Sequence, residues 1–271
     1  MKKLNLIFTA IIAVVSMGLF VGCGGSQEAK AVQEMIDKMP DTYSVDIDDE
    51  IFNVRTAFDS LSEDDKKYVK IEHLEELEEE YNKNVANEIN DLIEKITISD
   101  DSASTMKKGR DDIDKVMKQI EKLPDSTNTL IAYDMLLKKV QSLSSSASTV
   151  LKNANDILLM EDLYDNINLI NSAYSTSAKY GYACDIASDI SGLSNKWSSK
   201  KGVLSKKAEE LKDACLYKED FEIAVSVLHV IEESSSLSDS IQSYYNPFLN
   251  GNIHTYIDDC LKWEQIIKEN I

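Results

Sequence analysis

Apolar side chains recur along most of this chain at steps of three and four, and little interrupts them. The rhythm runs Val32, Met35, Ile36, Met39, then Ile51, Val54, Phe58, Leu61, then Leu74, Leu77, Tyr81, Val85, Ile89, Leu92, Ile93 and Ile96. Such steps lay one stripe along a helix of 3.6 residues per turn, whereas a half-buried strand needs alternation at two. Breakers are scarce. The prolines are Pro40, Pro124 and Pro247, and beyond Gly25 the glycines are Gly109, Gly181, Gly192, Gly202 and Gly251. The expectation is an all-α fold, an elongated bundle of long antiparallel helices in two helical regions.

The N-terminus has a different pattern. Lys2 and Lys3 precede an apolar run from Leu4 to Val21, broken only by Asn5, Thr9, Ser16 and Gly18. These are the charged and apolar regions of a secretory signal. The run ends in Phe20-Val21-Gly22-Cys23, which resembles the lipobox of bacterial prolipoproteins, with Phe20 where leucine is usual. The resemblance implies cleavage between Gly22 and Cys23 and a diacylglycerol on the Cys23 thiol. Gly24 to Gln27 then form a short tether. The other reading, an uncleaved membrane helix of about 18 apolar residues, also exports the rest of the chain, because positive charge stays on the cytoplasmic side. The expected location is the cell membrane, lipid-anchored on its extracytoplasmic face.

Removing residues 1–22 takes away two lysines and no acid, so the formal charge moves from −19 to −21. An acidic body repels phosphate backbones, which argues against nucleic acid as a partner. It offers no polybasic patch for anionic lipid either, so the expected membrane contact is the bilayer through acylated Cys23. Glu72 to Glu80 is dense in acid, but Leu74, Leu77 and Tyr81 punctuate it at helical spacing, as on a solvated helix face.

Between Asp46 and Asn82 the chain reads DDEIFNVRTAFDSLSEDDKKYVKIEHLEELEEEY. This is similar to a helical repeat of Gram-positive surface proteins: an Ala-Arg-x-x-Tyr-x-x-Leu helix, a Ser/Thr-x-x-x-Lys-x-x-Val turn, then a Leu-x-x-Ala-Glu helix. Arg55, Phe58, Leu61, Ser62, Lys66 or Lys67, Val69, Leu74 and Leu77 occupy those places; Phe58 replaces the tyrosine, and Glu78 directly follows Leu77. The match covers under a fifth of the chain. It implies a surface spacer or adhesion-type module without catalytic residues. A fainter second copy pairs residues 34–39 with 91–96, and Leu61, Tyr68, Val69, Ile71 and Leu74 with Leu123, Leu130, Ile131, Tyr133 and Leu136 at an offset of 62. Repeats of this size bury their apolar faces by stacking.

The serine-rich stretch from Ser142 to Thr149 is the expected boundary. Past it, Leu159, Leu163, Ile167, Ile170 and Tyr174 mark a helix, and Ile186 to Cys215 a longer apolar seam with a break at Lys200-Lys201. Phe221 to Ile231 and Ile253 to Ile267 mark the last two helices, joined across the turn-rich residues 244–252. About four antiparallel helices are expected there. The organisation is thus a signal peptide over 1–22, a lipidated cysteine and tether over 23–27, a helical repeat region over 28–145 and a C-terminal bundle over 150–271. Cys184, Cys215 and Cys260 match no metal-knuckle spacing and read as buried thiols, with one disulfide as the alternative.

No enzyme constellation stands out: no glycine-rich phosphate loop, no Gly-x-Ser-x-Gly elbow, no His-Glu-x-x-His. His254 and Asp258 lie one helical turn apart and read as a surface hydrogen bond rather than metal ligands. Asp46 to Glu50 lacks the glycine and distal glutamate of a calcium loop and reads as the start of a helix. Arg55 reads as a fork onto a carboxylate of a neighbouring helix. Tyr244, Tyr245 and Phe248 are the aromatic cluster that could anchor a partner, against the more usual outcome that such rings fold back to plug the end of the bundle. The expectation is a non-enzymatic envelope lipoprotein without cofactor or metal, acting as scaffold, spacer or protein-binding module. Its partner would be another envelope protein or a glycan. The alternative is a ligand-binding lipoprotein that holds a glycan, peptide or cation between its C-terminal helices.

Overall fold

The computed structural model describes residues 25–271, and the signal, Gly22 and Cys23 lie outside them. Among the described residues every regular element is a helix. The chain divides into two compact units, one of residues 25–91 with Lys122–Ile131, the other of Leu92–Glu121 with Ala132–Ile271.

The first unit contains α1 (Gln27–Asp37), a 3-10 turn at Val45–Ile47, α2 (Asp48–Asp59), the short α3 (Glu63–Lys66), most of α4 (Glu72–Lys95) and the short α6 (Asp125–Asn128). Ser26 caps α1, its Oγ accepting the Ala29 N–H at 3.1 Å. Asp48, Asp49 and Glu50 occupy the first turn of α2, where carboxylates favour the positive helix end. Ala29, Val32, Ile36, Ile51, Val54, Leu74 and Leu77 close one core. Arg55 of α2 forks onto Glu78 of α4, Nε to Oε1 at 2.7 Å and Nη2 to Oε2 at 2.5 Å, as its scarcity suggested. Thr127 is buried and donates its hydroxyl to Asn82 Oδ1 at 2.6 Å, which latches the α6 segment onto α4.

The second unit contains α5 (Ala103–Ile120), α7 (Tyr133–Asn153), α8 (Asn155–Ser172), α9 (Thr176–Gly192), a 3-10 turn at Asn195–Trp197, α10 (Ser198–Tyr217), α11 (Asp220–Asn250) and α12 (Ile253–Lys268). Helices α8 to α11 pack each on the next, α11 returns to α8, and α12 lies along α7. Short connections make successive helices antiparallel. The seams run at fours and threes: Leu136, Val140, Leu143, Ala147, Val150 on α7 and Leu204, Ala208, Leu211, Cys215 on α10. Lysines close two helix ends. Lys139 Nζ reaches the Ile96 carbonyl at 2.6 Å, and Lys201 Nζ the Leu193 carbonyl at 2.7 Å. Gly109 permits a close approach, since a Cβ there would stand 2.9 Å from the Thr97 carbonyl oxygen.

Two features differ from the sequence reading. Residues 142–149 are the middle of α7, with Leu143 and Ala147 wholly buried and Ser142, Ser145 and Ser148 on the exposed side. The seam at fours and threes runs straight through the serines, so they mark a solvated face and not a break. The division into units falls instead inside α4 and at either end of residues 122–131. Residues 244–250 likewise continue α11, whose stripe Ser234, Leu237, Ile241, Tyr245, Phe248 keeps the helical step past Pro247. Pro247 lies inside the helix at the cost of the one hydrogen bond its N–H would have made to the Ser243 carbonyl, and the connector shrinks to Gly251 and Asn252, the latter left-handed at φ 57°.

The offset of 62 also recurs in local structure. The short helices span 63–66 and 125–128; Tyr68 and Leu130 are both exposed, Val69 and Ile131 both buried, Leu74 and Leu136 both fully buried, whereas Leu61 is buried and Leu123 half-buried, and Ile71 half-buried and Tyr133 buried.

A fragment ending at residue 145 keeps the whole first unit but removes α12, against which α7 packs. Hydrogen exchange should then find the amides of α7 exchanging about tenfold faster or more than in the full chain, with those of α2 unchanged. Protection of α7 in that fragment would restore a boundary near the serines.

Candidate functional site

The densest polar cluster of the second unit is built on a single buried carboxylate. Asp156 is 2% exposed and sits in the first turn of α8. Its Oδ1 accepts the Ser194 N–H at 2.8 Å; its Oδ2 accepts the Ser194 hydroxyl at 2.7 Å, the Trp197 Nε1–H at 2.7 Å and the Tyr245 hydroxyl at 3.0 Å. Four donors from the α9–α10 corner and from α11 therefore converge on the start of α8. The positive end of α8 adds to them. Such a group stays buried because its lone pairs are satisfied.

The rings around it pack edge to face, apart from Tyr244 on Phe248, which is tilted at 55°. Trp197 and Tyr245 stand 6.2 Å apart between centroids, Tyr244 and Tyr245 4.9 Å, and Tyr244 and Phe248 5.2 Å. Tyr244 donates its hydroxyl to the Asp100 carbonyl at 2.5 Å, and Lys196 Nζ lies 3.8 Å from the centre of its ring. Burial raises the Tyr245 hydroxyl well above its ordinary value, and the Asp156 charge reinforces this. The arrangement holds protons in place: every oxygen of the carboxylate is engaged with a fixed donor.

Tyr244, Tyr245 and Phe248 are thus brought together as the sequence grouped them, but turned inward. Tyr245 is 0% and Phe248 3% exposed, so neither offers a surface to a partner. The physical reason is the unbroken helical step through Pro247, which keeps both on the buried stripe of α11. Asp156 and Trp197 do not stand out in the sequence. The one signal there is Asp156 itself, four residues before Met160 on the stripe Met160, Leu163, Ile167, Ile170. An acid at a core position needs donors, and their identity is a tertiary fact. Cys23 and Gly22 lie outside the described residues.

A second tie joins α5 to α12. Arg110 donates through Nε at 2.9 Å and Nη2 at 2.5 Å to Asp259 Oδ2, with its guanidinium 5.4 Å from the Tyr256 ring centre. Beside it opens a cleft of about 240 Å³ lined by Ala103, Lys107, Phe248, Ile253 and Tyr256, and a smaller one of about 130 Å³ adjoins Lys196 and Tyr244. Both fall short of the ~300 Å³ at which ligand pockets begin. His254 and Asp258 are both exposed, and among the described residues no group of three or more His, Cys, Asp or Glu could hold a metal. Cys184, Cys215 and Cys260 are all free thiols, the last two buried. Compared with known protein families, curated proteins and solved structures, the chain matches none.

This geometry sets the outcome of two substitutions. Asp156→Ala strands three side-chain donors and one backbone N–H and should cost about 3 kcal/mol or more. Asp156→Asn keeps the shape but turns an N–H₂ toward donors, and should fall between wild type and Ala. Urea unfolding followed by tryptophan fluorescence measures both, and a loss under about 1 kcal/mol for Ala would deny Asp156 its role. Separately, burial pushes the Cys260 thiol up from 9.0 to about 12. With a raised folded value, this contribution is complete below pH 9 and declines as pH rises toward 12, because the unfolded chain releases its proton first. The slope reaches about 1.4 kcal/mol per pH unit. Cys260→Ala should flatten that part of the stability profile, and an unchanged slope would refute the assignment.

Proposed function

We propose that this chain is a membrane-anchored lipoprotein whose helical body serves as a scaffold, spacer or protein-binding module of the cell envelope. The single observation that carries this reading is the succession Lys2-Lys3, apolar run, Phe20-Val21-Gly22-Cys23. Diacylglycerol supplies two acyl chains, at roughly 0.8 kcal/mol per buried CH₂, where one chain alone is marginal. An acidic body provides no electrostatic substitute. Helix α1 begins at Gln27, four residues past Cys23, and the Ser26 N–H is bound to Asp65 Oδ1 at 3.1 Å. Folded structure thus starts close behind the anchor, which suits a body held near the bilayer surface.

The repeat-like organisation supports a spacer or binding module, since three of the five corresponding pairs at an offset of 62 share their burial. The site chemistry supports a non-enzymatic role. Asp156 is committed to four donors, and Tyr245 and Phe248 of the aromatic cluster are committed to the core. The partner under this reading is another envelope protein.

Changing Cys23 to Ser removes the acceptor thiol and leaves the apolar signal intact. The variant should lose metabolic fatty-acid labelling and persist as the larger, signal-bearing precursor. Mass and label must be read together, because the uncut apolar segment can still sediment with membranes. A native protein of full 271-residue mass without lipid would replace the lipid anchor with a membrane helix.

A further inference from the structure

The first described residues lie against one exposed turn. Gly25 follows Cys23 by two residues, a stretch that spans at most about 7 Å. Gly25 is left-handed at φ 60°, and a Cβ on it would stand 3.0 Å from Cβ of Tyr68 and 3.2 Å from its Cγ, so glycine lets the chain lie close against that residue. The Ser26 N–H then binds Asp65 Oδ1 at 3.1 Å. The start of the body is thereby pinned at two points to the turn between α3 and α4. Whatever holds Cys23 stands beside Tyr68.

That turn presents an aromatic ring and two ammonium groups. Tyr68 is 61% exposed, and Lys67 and Lys70 are exposed with it, while Val69 turns into the core. The fold does not ask for this set. At an offset of 62 the same turn recurs after α6, and there Thr129, Leu130 and Ala132 stand in place of Lys67, Tyr68 and Lys70. The tyrosine with its lysines belongs to the copy beside the anchor and not to the other. Charge separates this corner from the rest of the chain as well. Residues 25–33 and 61–71 hold Glu28, Glu63, Asp64 and Asp65 against Lys30, Lys66, Lys67 and Lys70, so they sum to zero, whereas the chain beyond Gly22 carries −21.

We propose that Lys67, Tyr68 and Lys70 form a membrane-contact site that seats the first unit on lipid headgroups. The proposal rests on the anchored, exported reading. It holds for an acylated Cys23 and for an uncut helix alike, since the chain leaves the bilayer just ahead of Gly25 in both. Tyrosine suits that depth, its ring toward the acyl boundary and its hydroxyl in water. Lysine stems lie along the same boundary while their ammonium groups reach phosphate. A leaflet containing anionic lipid repels an acidic body and tolerates only its neutral face. Two lysines do not hold a protein on a membrane; the anchor supplies the affinity, and these three side chains supply the orientation.

The test places tryptophan at two equally exposed positions of the full chain, purified from membranes and returned to phosphatidylcholine–phosphatidylglycerol vesicles. Tyr68→Trp stands at the contact. Val45→Trp, also at a position 61% exposed, stands at the far end of α2, whose 12 residues measure about 18 Å. Trp197 and Trp263 are buried and give the baseline. Lipid brominated near the carboxyl end of its acyl chains should quench the emission added by Tyr68→Trp at least about twofold, and that added by Val45→Trp hardly at all. Adding Lys67→Glu and Lys70→Glu to Tyr68→Trp should reduce that quenching by about half or more. The far-ultraviolet dichroism should not change, because all three sites are exposed. Membrane-bound protein in which position 68 escapes quenching, is quenched no more than position 45, or stays fully quenched after both charge reversals would overturn the site and leave the anchor standing. A chain recovered from cells without any membrane association would overturn the anchored reading and this proposal with it.

Discussion

The corner between α9 and α10 depends on one ionised oxygen pair. Residues 193–197 connect two long helices through extended backbone and a 3-10 turn, a geometry that leaves N–H groups without helical partners. Asp156 takes up the Ser194 N–H and hydroxyl and the Trp197 indole together, and then reaches Tyr245 on a third element. An apolar residue at 156 would complete the stripe of α8 but leave those donors in a dry interior. A neutral amide would satisfy some and oppose others. Only an acceptor-only group with two oxygens meets all four donors, and its position in the first turn of α8 offsets part of the cost of burying charge.

The scarcity of arginine reflects a related economy of geometry. Most ion pairs in this acidic chain join lysine to carboxylates three or four residues away on the same helix, and they are exposed. Such pairs contribute a few tenths of a kcal/mol. Arg55 and Arg110 instead bridge different helices, and each also lies near an aromatic ring. A planar guanidinium can hold a carboxylate through two N–H groups while its face lies against a ring. Lysine takes the remaining task of closing helix ends, where a single charge on a flexible stem reaches several carbonyls.

Helices were legible in the sequence because burial writes the 3.6-residue period directly into residue choice. Ile253, Cys260 and Ile267 mark the last helix in the letters and in the structure alike. The Arg55 fork was legible too, since a rare bidentate cation among many acids has few other uses. The boundaries were not. Serine at 142–149 resembles a linker by composition, but Leu143, Ala147 and Val150 decide the matter, and three apolar residues are outvoted in any window average. Pro247 resembles a turn until its place in the final helical turn is known. The donors to Asp156 were beyond sequence reasoning altogether, for Ser194, Trp197 and Tyr245 lie 38 to 89 residues away along the chain.

Helix α11 shows how one segment answers two demands without conflict. Inward, its stripe runs unbroken from Ile223 through Ser234 to Phe248, so its length is set by the core. Outward, the helix is apolar at Phe221, Val225 and Leu228 and polar at Glu232, Ser235 and Asp239, the latter as a solvated helix face usually is. Exposed apolar side chains occur singly on most proteins and need no cause. Three at consecutive helical steps, in a chain rich in acid, are not scattered. The interior stripe fixes where this helix lies, while its exterior passes from apolar to polar along the same 31 residues, so inward and outward residue choice follow different rules on one element.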